Sequence, residues 1–344
     1  MNKKDRTYML SVNRNILLSA VLAAFAIGVF IGSGFIALTT PGQTEKTAPL
    51  VPDGNFRFIR TAMALKEGGE NRHSMELAPF RYKIKALIDE KINRNEVKAA
   101  SVYFRDLNNG NWFGIGEKEK FSPKSLLKLP LMLAYFKWAE SNPLVLRKRL
   151  TYNASQGPLD PEPNRGKTGL ESDRPYTVND LIYRMMTEDD NDAYSLLFAN
   201  IPRQRIDKVF KDLNVEYDPH TEDDSLSLRA FASFYRVLFN ASYLSEKMSE
   251  KALMYLARSS LKHGMASGIP LNIDIAGKFG ERTVKTTIEG KETELHQMHE
   301  FGIIYHPRRP FLIGIMVRGD DANTLTRIIH DITKLVYEEV DQQS

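Results

Sequence analysis

From Leu77 onward the chain switches repeatedly between helical and strand-like hydrophobic periods. Leu77, Phe80, Ile84, Leu87, Ile88 and Ile92 recur at three- and four-residue intervals, which predicts an amphipathic helix. Residues 99–107 alternate as a strand, Asn108-Asn109-Gly110 is a hairpin turn, and residues 112–115 return as a second strand. The dense apolar run over 126–138 predicts a long buried helix. Thr177 is placed to cap a helix running through Met186, and further helical patterns cover 193–199, 206–213, 228–239 and 250–257. Strand patterns resume at 273–277, 284–288, 297–305 and 311–317, before a last helix over 323–339. This order predicts an α/β (α+β) fold. The late strands can complete one antiparallel sheet with the early pair only if the helical block is an insertion between its second and third strands. The first and last helices then cover one sheet face.

The N-terminus follows a different pattern. Residues 16–38 carry no charge and exceed the roughly 20 residues that a membrane-crossing helix needs. Lys3, Lys4, Arg6 and Arg14 precede this run, and no A-x-A cleavage signal follows it. The expectation is a cytoplasmic N-terminus over 1–15, an uncleaved transmembrane signal anchor over 16–38, a linker over 39–76 rich in Pro, Thr and Gly, and an extracytoplasmic domain over 77–344. The absence of cysteine excludes disulfides and thiol catalysis. Of 47 basic and 43 acidic residues, the anchor's flank holds four and one, leaving 43 against 42, so no nucleic-acid surface is implied.

Three segments carry candidate chemistry. Ser125-Leu-Leu-Lys128 opens the long apolar helix, so that a serine hydroxyl and a lysine amine three residues on can face one side. A serine needs such a base to become a nucleophile, and burial lowers a lysine toward that task. The same four-letter pattern recurs at Ser259-Ser-Leu-Lys262, but there it ends a helix and no apolar helix follows. Asp189-Asp190-Asn191 forms a polar turn between two helices, and Lys278-Phe279-Gly280-Glu281 lies among the late strands. His296 and His299 have an H-x-x-H spacing, but on a strand they point to opposite faces, so no metal site is expected.

In this order and spacing, the three segments resemble the class A β-lactamase and penicillin-recognising serine hydrolase family, with its S-x-x-K, S-D-N and K-T-G motifs. Phe121-Ser-Pro-Lys before Ser125, the run Asn191-Asp-Ala-Tyr-Ser-Leu-Leu197 and the turn Gly268-Ile-Pro270 add to the likeness. The resemblance implies a five-stranded antiparallel sheet and an acyl-enzyme mechanism without cofactor. Ser125 would be the nucleophile and Lys128 its base. Asn191 would hold Lys128 and bind a substrate amide, and Lys278 would attract a substrate carboxylate. The backbone N–H groups of Ser125 and Glu281 would form the oxyanion hole, with Phe279 and Gly280 lining the substrate side. The implied partner is a peptidoglycan stem peptide or a β-lactam.

Three departures from the family pattern bear on activity. Asp189 stands at the position of a proton-relaying serine, and Phe279 at that of a carboxylate-binding hydroxyl. The short stretch 215–224 lacks the family's E-x-x-L-N pattern, leaving Glu216 and Glu222 as the acids nearest in sequence to a deacylating role. The expected enzyme forms an acyl-enzyme but is poor at deacylation. The alternative is a catalytically degenerate scaffold that binds wall peptides or a protein partner.

Overall fold

The computed structural model describes residues 56–60, 75–153, 169–217, 225–260, 264–288 and 291–343. The predicted sheet forms from β1 (Ala99–Asp106), β2 (Trp112–Ile115), β3 (Ile275–Ile288), β4 (Lys291–Ile304) and β5 (Phe311–Gly319). They are ordered β2-β1-β5-β4-β3, and every neighbouring pair is antiparallel. The inference from element order therefore holds: all intervening helices are inserted between β2 and β3, and β3 is a sheet edge. Gly110, at φ 79°, makes the β1–β2 turn.

The described α-helices are α1 (Ala78–Asn93), α2 (Lys128–Ser141), α3 (Val178–Thr187), α4 (Asn191–Ala199), α5 (Arg203–Asp212), α6 (Leu228–Phe239), α7 (Glu246–Ala257), the short α8 (Gly264–Ser267) and α9 (Ala322–Gln342). Two short strand pairs, Lys120–Phe121 with Leu226–Ser227 and Arg149–Thr151 with Pro175–Thr177, lie outside the main sheet. Alternation along β1 splits the core in two. Val102 and Phe104 join Phe80, Ile84 and Ile88 of α1 with Ile328, Ile332 and Val336 of α9. Tyr103 and Leu107 face the helical block, where α2 is buried from Lys128 through Phe136. A helix apolar on all sides can only sit inside, and α2 does.

Several predicted boundaries move: β4 starts at Lys291, six residues before the predicted 297, and α5 at Arg203, three before the predicted 206. The segments predicted at 273–277 and 284–288 merge into one strand, β3, which starts only at Ile275 and pairs with β4 along its whole length. The polar residues between them concealed the continuity, because an edge strand needs no apolar alternation to keep its ladder. Helix α7 starts at Glu246, four residues before the predicted start, because its first turn is polar.

Part of the expected linker is docked. The N–H groups of Arg57, Phe58 and Ile59 donate to the Glu250 carboxylate at 2.7, 2.8 and 3.1 Å. Arg60 N–H reaches Phe239 O, Tyr305 Oη donates to Phe58 O, and Phe58 and Ile59 are buried. Glu250, itself buried, thus satisfies three backbone donors that would otherwise leave water unpaired. Among the described residues no helix is long and apolar enough to cross a membrane, and the predicted span 16–38 lies outside them.

Candidate active site

Ser125 lies in a 3-10 turn, Lys124–Leu127, and Lys128 is the first residue of α2. Pro130 falls in the first α-helical turn, where the N–H it lacks has no intrahelical partner to lose. Lys124, just before the serine, sits at φ 46°, a left-handed conformation uncommon for a long side chain.

The turn between α3 and α4 delivers the second segment. Thr177 caps α3 by accepting from Asp180 N–H, as the sequence predicts. Asp189 then adopts φ 57°, which an aspartate tolerates better than most residues. That conformation turns both its carbonyl and its carboxylate toward Lys128. Asp190 caps α4 by accepting from Ala193 N–H at 2.9 Å, and Asn191 becomes the first residue of that helix.

The third segment is on β3, whose edge position lays it beside the Ser125 turn. A Cβ on Gly280 would stand 2.9 Å from Pro123 O and 3.4 Å from Leu126, so only glycine permits this approach of strand and turn. Lys278, on the same face of β3 two residues earlier, is fully buried.

These segments converge on one cluster. Lys128 Nζ donates to Ser125 Oγ at 3.3 Å, to Asn191 Oδ1 at 2.7 Å, and to Asp189 at both O (2.9 Å) and Oδ1 (2.7 Å). Lys278 Nζ donates to the same Asp189 Oδ1 at 2.5 Å, while Ser125 Oγ donates to Oδ2 at 3.2 Å. Burial pulls the Lys128 ammonium down to about 8, with the charge of Lys278 helping and that of Asp189 opposing. Burial also works against the charge on Asp189, but Lys278 and Lys128 outweigh it and hold the carboxyl below its usual range. The aspartate in the relay position is thus ionised and shared between two buried lysines.

The remaining candidates fall around this cluster. Phe279 is half-buried, with Lys278 Nζ 5.6 Å from its ring centroid, a cation–π contact in place of a hydroxyl. Glu281 follows Gly280 on the same edge strand, in register with Met298 of β4. His296 is partly exposed and meets Thr283, whereas His299 is fully buried. Ser259 and Ser260 follow the end of α7, and Lys262 lies outside the described residues. Glu216 lines a different cavity, and Glu222 lies outside the described residues.

The model of the β-lactamase enzyme family matches residues 79–340. The chain belongs to that family. Solved structures share the fold at low identity. PBP-A is 19% identical, with TM-score 0.63 over 77% of this chain and 97% of its own. A β-lactamase from Sphaerobacter thermophilus is 16% identical, with TM-score 0.63 over 76% and 97%. A variant of the last common ancestor of Gram-negative class A β-lactamases is 20% identical, with TM-score 0.60 over 78% and 100%. A point mutant of PBP-A, 18% identical over 77% of this chain and 97% of its own with TM-score 0.63, is an acyl-enzyme complex with penicillin G. No curated protein matches the chain in sequence. Within this β-lactamase-family domain, the serine, both lysines and the asparagine occupy one site, and Asp189 is the residue that ties them together.

Proposed function

We propose that this chain is a membrane-anchored, extracytoplasmic serine acyl-transfer enzyme acting on D-Ala-D-Ala-type peptidoglycan peptides or β-lactams. The observation that carries this reading is Ser125 Oγ within hydrogen-bond reach of both Lys128 Nζ and Asp189, beside a lysine brought down to about 8. In its neutral form Lys128 takes the Ser125 proton as Oγ bonds to the amide or lactam carbonyl carbon. Donors on the edge strand and at Ser125 hold the resulting oxyanion. The C–N bond then breaks, the ester remains on Ser125, and the Lys128 ammonium returns the proton to the leaving nitrogen. Asp189 can pass that proton on but is not its source, since it is ionised. Release of the acyl group requires an activated water, and Glu216 stands at another cavity. The ester is therefore expected to persist, as an acyl-enzyme does in the penicillin complex of the PBP-A mutant. The uncharged run 16–38 and its basic flank support a single-pass cell-membrane protein with its C-terminal domain outside.

The test is intact mass after incubating the full chain, in neutral detergent, with a labelled penicillin. A stable adduct on wild type, absent from Ser125→Ala, is the expected result. Rapid turnover without an adduct would make the chain an efficient hydrolase instead. No adduct with any penicillin or peptide ester would leave the second reading, a degenerate scaffold for wall peptides or a protein partner. That reading is favoured by the saturation of both lysines by Asp189.

A further inference from the structure

A second cavity, of about 610 Å³, lies against the helical-block side of β1 and β2 and against α6. None of the residues lining it belongs to the serine cluster. Four cations line it, Arg105, Lys118, Arg229 and Arg236, against one carboxylate, the exposed Glu216. Arg105 is the unusual member. It stands on a central strand, is 5% exposed, and its Nε has no hydrogen-bond partner. Among the described residues no carboxylate lies within ion-pair distance of its guanidinium, whereas both buried lysines of the serine cluster share Asp189. A lysine in such a place can shed its proton; an arginine cannot, so its charge persists whatever the burial.

The rest of the cavity suits an incoming anion. The Arg229 guanidinium rests on the face of Trp112, 5.1 Å from the ring centroid, which places it on the cavity wall beside Arg105's own strand pair. The 12-residue helix α6 opens here, and Ser227, its N-cap, and Ser233 add hydroxyl donors to the lining. Guanidinium forks match the planar, multiply charged faces of phosphates and carboxylates.

We propose that this cavity binds a small-molecule oxyanion, a phosphate or a group of clustered carboxylates. Arg105 is its buried ligand, and Arg229 and Arg236 are half-buried partners. The site is independent of acylation at Ser125.

The test is thermal unfolding and titration calorimetry of the full chain with inorganic phosphate, pyrophosphate and citrate, at ionic strength held constant with sodium chloride. A saturable rise in Tm with at least one of the three, absent with chloride alone, is expected. The ranking of phosphates against citrate assigns the chemical source. Arg105→Gln should weaken binding at least tenfold while still folding, and Arg229→Gln should weaken it less. Ser125→Ala should bind as wild type does, which keeps this outcome separate from that of the acylation test. No saturable shift with any of the three anions would overturn the proposal, as would undiminished affinity in Arg105→Gln. A shift seen only after Glu222, Asp223 and Asp224 are replaced by their amides would overturn it too, since the chain would then supply its own anion.

Discussion

Two places in this molecule bury positive charge on the same side of one sheet, and they do it differently. At the serine cluster, Lys128 and Lys278 are 2% and 0% exposed, and one carboxylate, Asp189, bonds to both. At the second cavity, Arg105 is almost as buried and has no such partner among the described residues. Removing an ion from water costs several kcal/mol unless charges and hydrogen bonds are returned to it. The first site returns them from within the chain. The second leaves them to a bound anion. The contrast separates a charge arrangement completed by folding from one completed by binding.

The most severe way to break the contrast is Asp189→Asn. It leaves two buried lysines facing each other, and breaking a buried pair in this way typically costs about 3 kcal/mol or more. The urea midpoint should fall accordingly, and adding Lys278→Met should recover at least about 1 kcal/mol, since the two residues are coupled. A double mutant no more stable than Asp189→Asn alone would mean that the pairing carries little weight.

Proton linkage tests the same cluster. With Lys128 near 8 in the fold and near 10.5 when unfolded, the unfolded chain binds more protons between those values. The lysine's burial therefore penalises stability at neutral pH, and the penalty is relieved as pH rises from about 8 to 10.5. Asp189, also held low, gives the same sign in a lower window: its contribution is present above the ordinary carboxyl range and is lost as pH falls below it. In acylation, the neutral amine fraction should raise the rate about tenfold between pH 7 and pH 9, read as the rate of penicillin adduct formation. A flat profile would exclude Lys128 as the base.

Arg105→Met sharpens the comparison by reversing its sign. In anion-free buffer the variant should be as stable as wild type or more stable by about 1 kcal/mol, because an unpaired buried charge is removed. A loss of stability would reveal an internal partner. The smallest effect is expected next door to Asp189. Asp190 spends its carboxylate on an N-cap, and burial raises its pKa to about 6. Asparagine caps about as well, so Asp190→Asn should shift stability at pH 7 by no more than about 0.5 kcal/mol.

Much of the fold was legible because its elements keep one period for long enough. The β1–β2 hairpin and α6 appear at or within a residue of their predicted bounds. The elements that were missed lack a period. Phe56–Arg60 is too short to show one, and it is held through Glu250, nearly 200 residues later. The middle of β3 is polar because it serves the site rather than the core. Within the site, Ser125, Lys128, Asn191 and Lys278 were legible as residue types at family spacings. The bonds Asp189 makes were not, because they depend on a left-handed turn meeting an edge strand about 90 residues on. Arg105 gave no signal at all, since an arginine in a strand reads as a solvent-facing residue until a helix packs over it.

The sequence by itself therefore determined the order of elements, the insertion of the helices between β2 and β3, and the chemical types brought to the serine. Those follow from local periodicity and spacing, which are properties of short stretches. The tertiary structure alone decided which charges share a partner. Asp189 pairs with two lysines and Arg105 faces a cavity because distant segments were brought within a few ångströms of each other. At that range, in a dry interior, the pairing of a charge outweighs its identity.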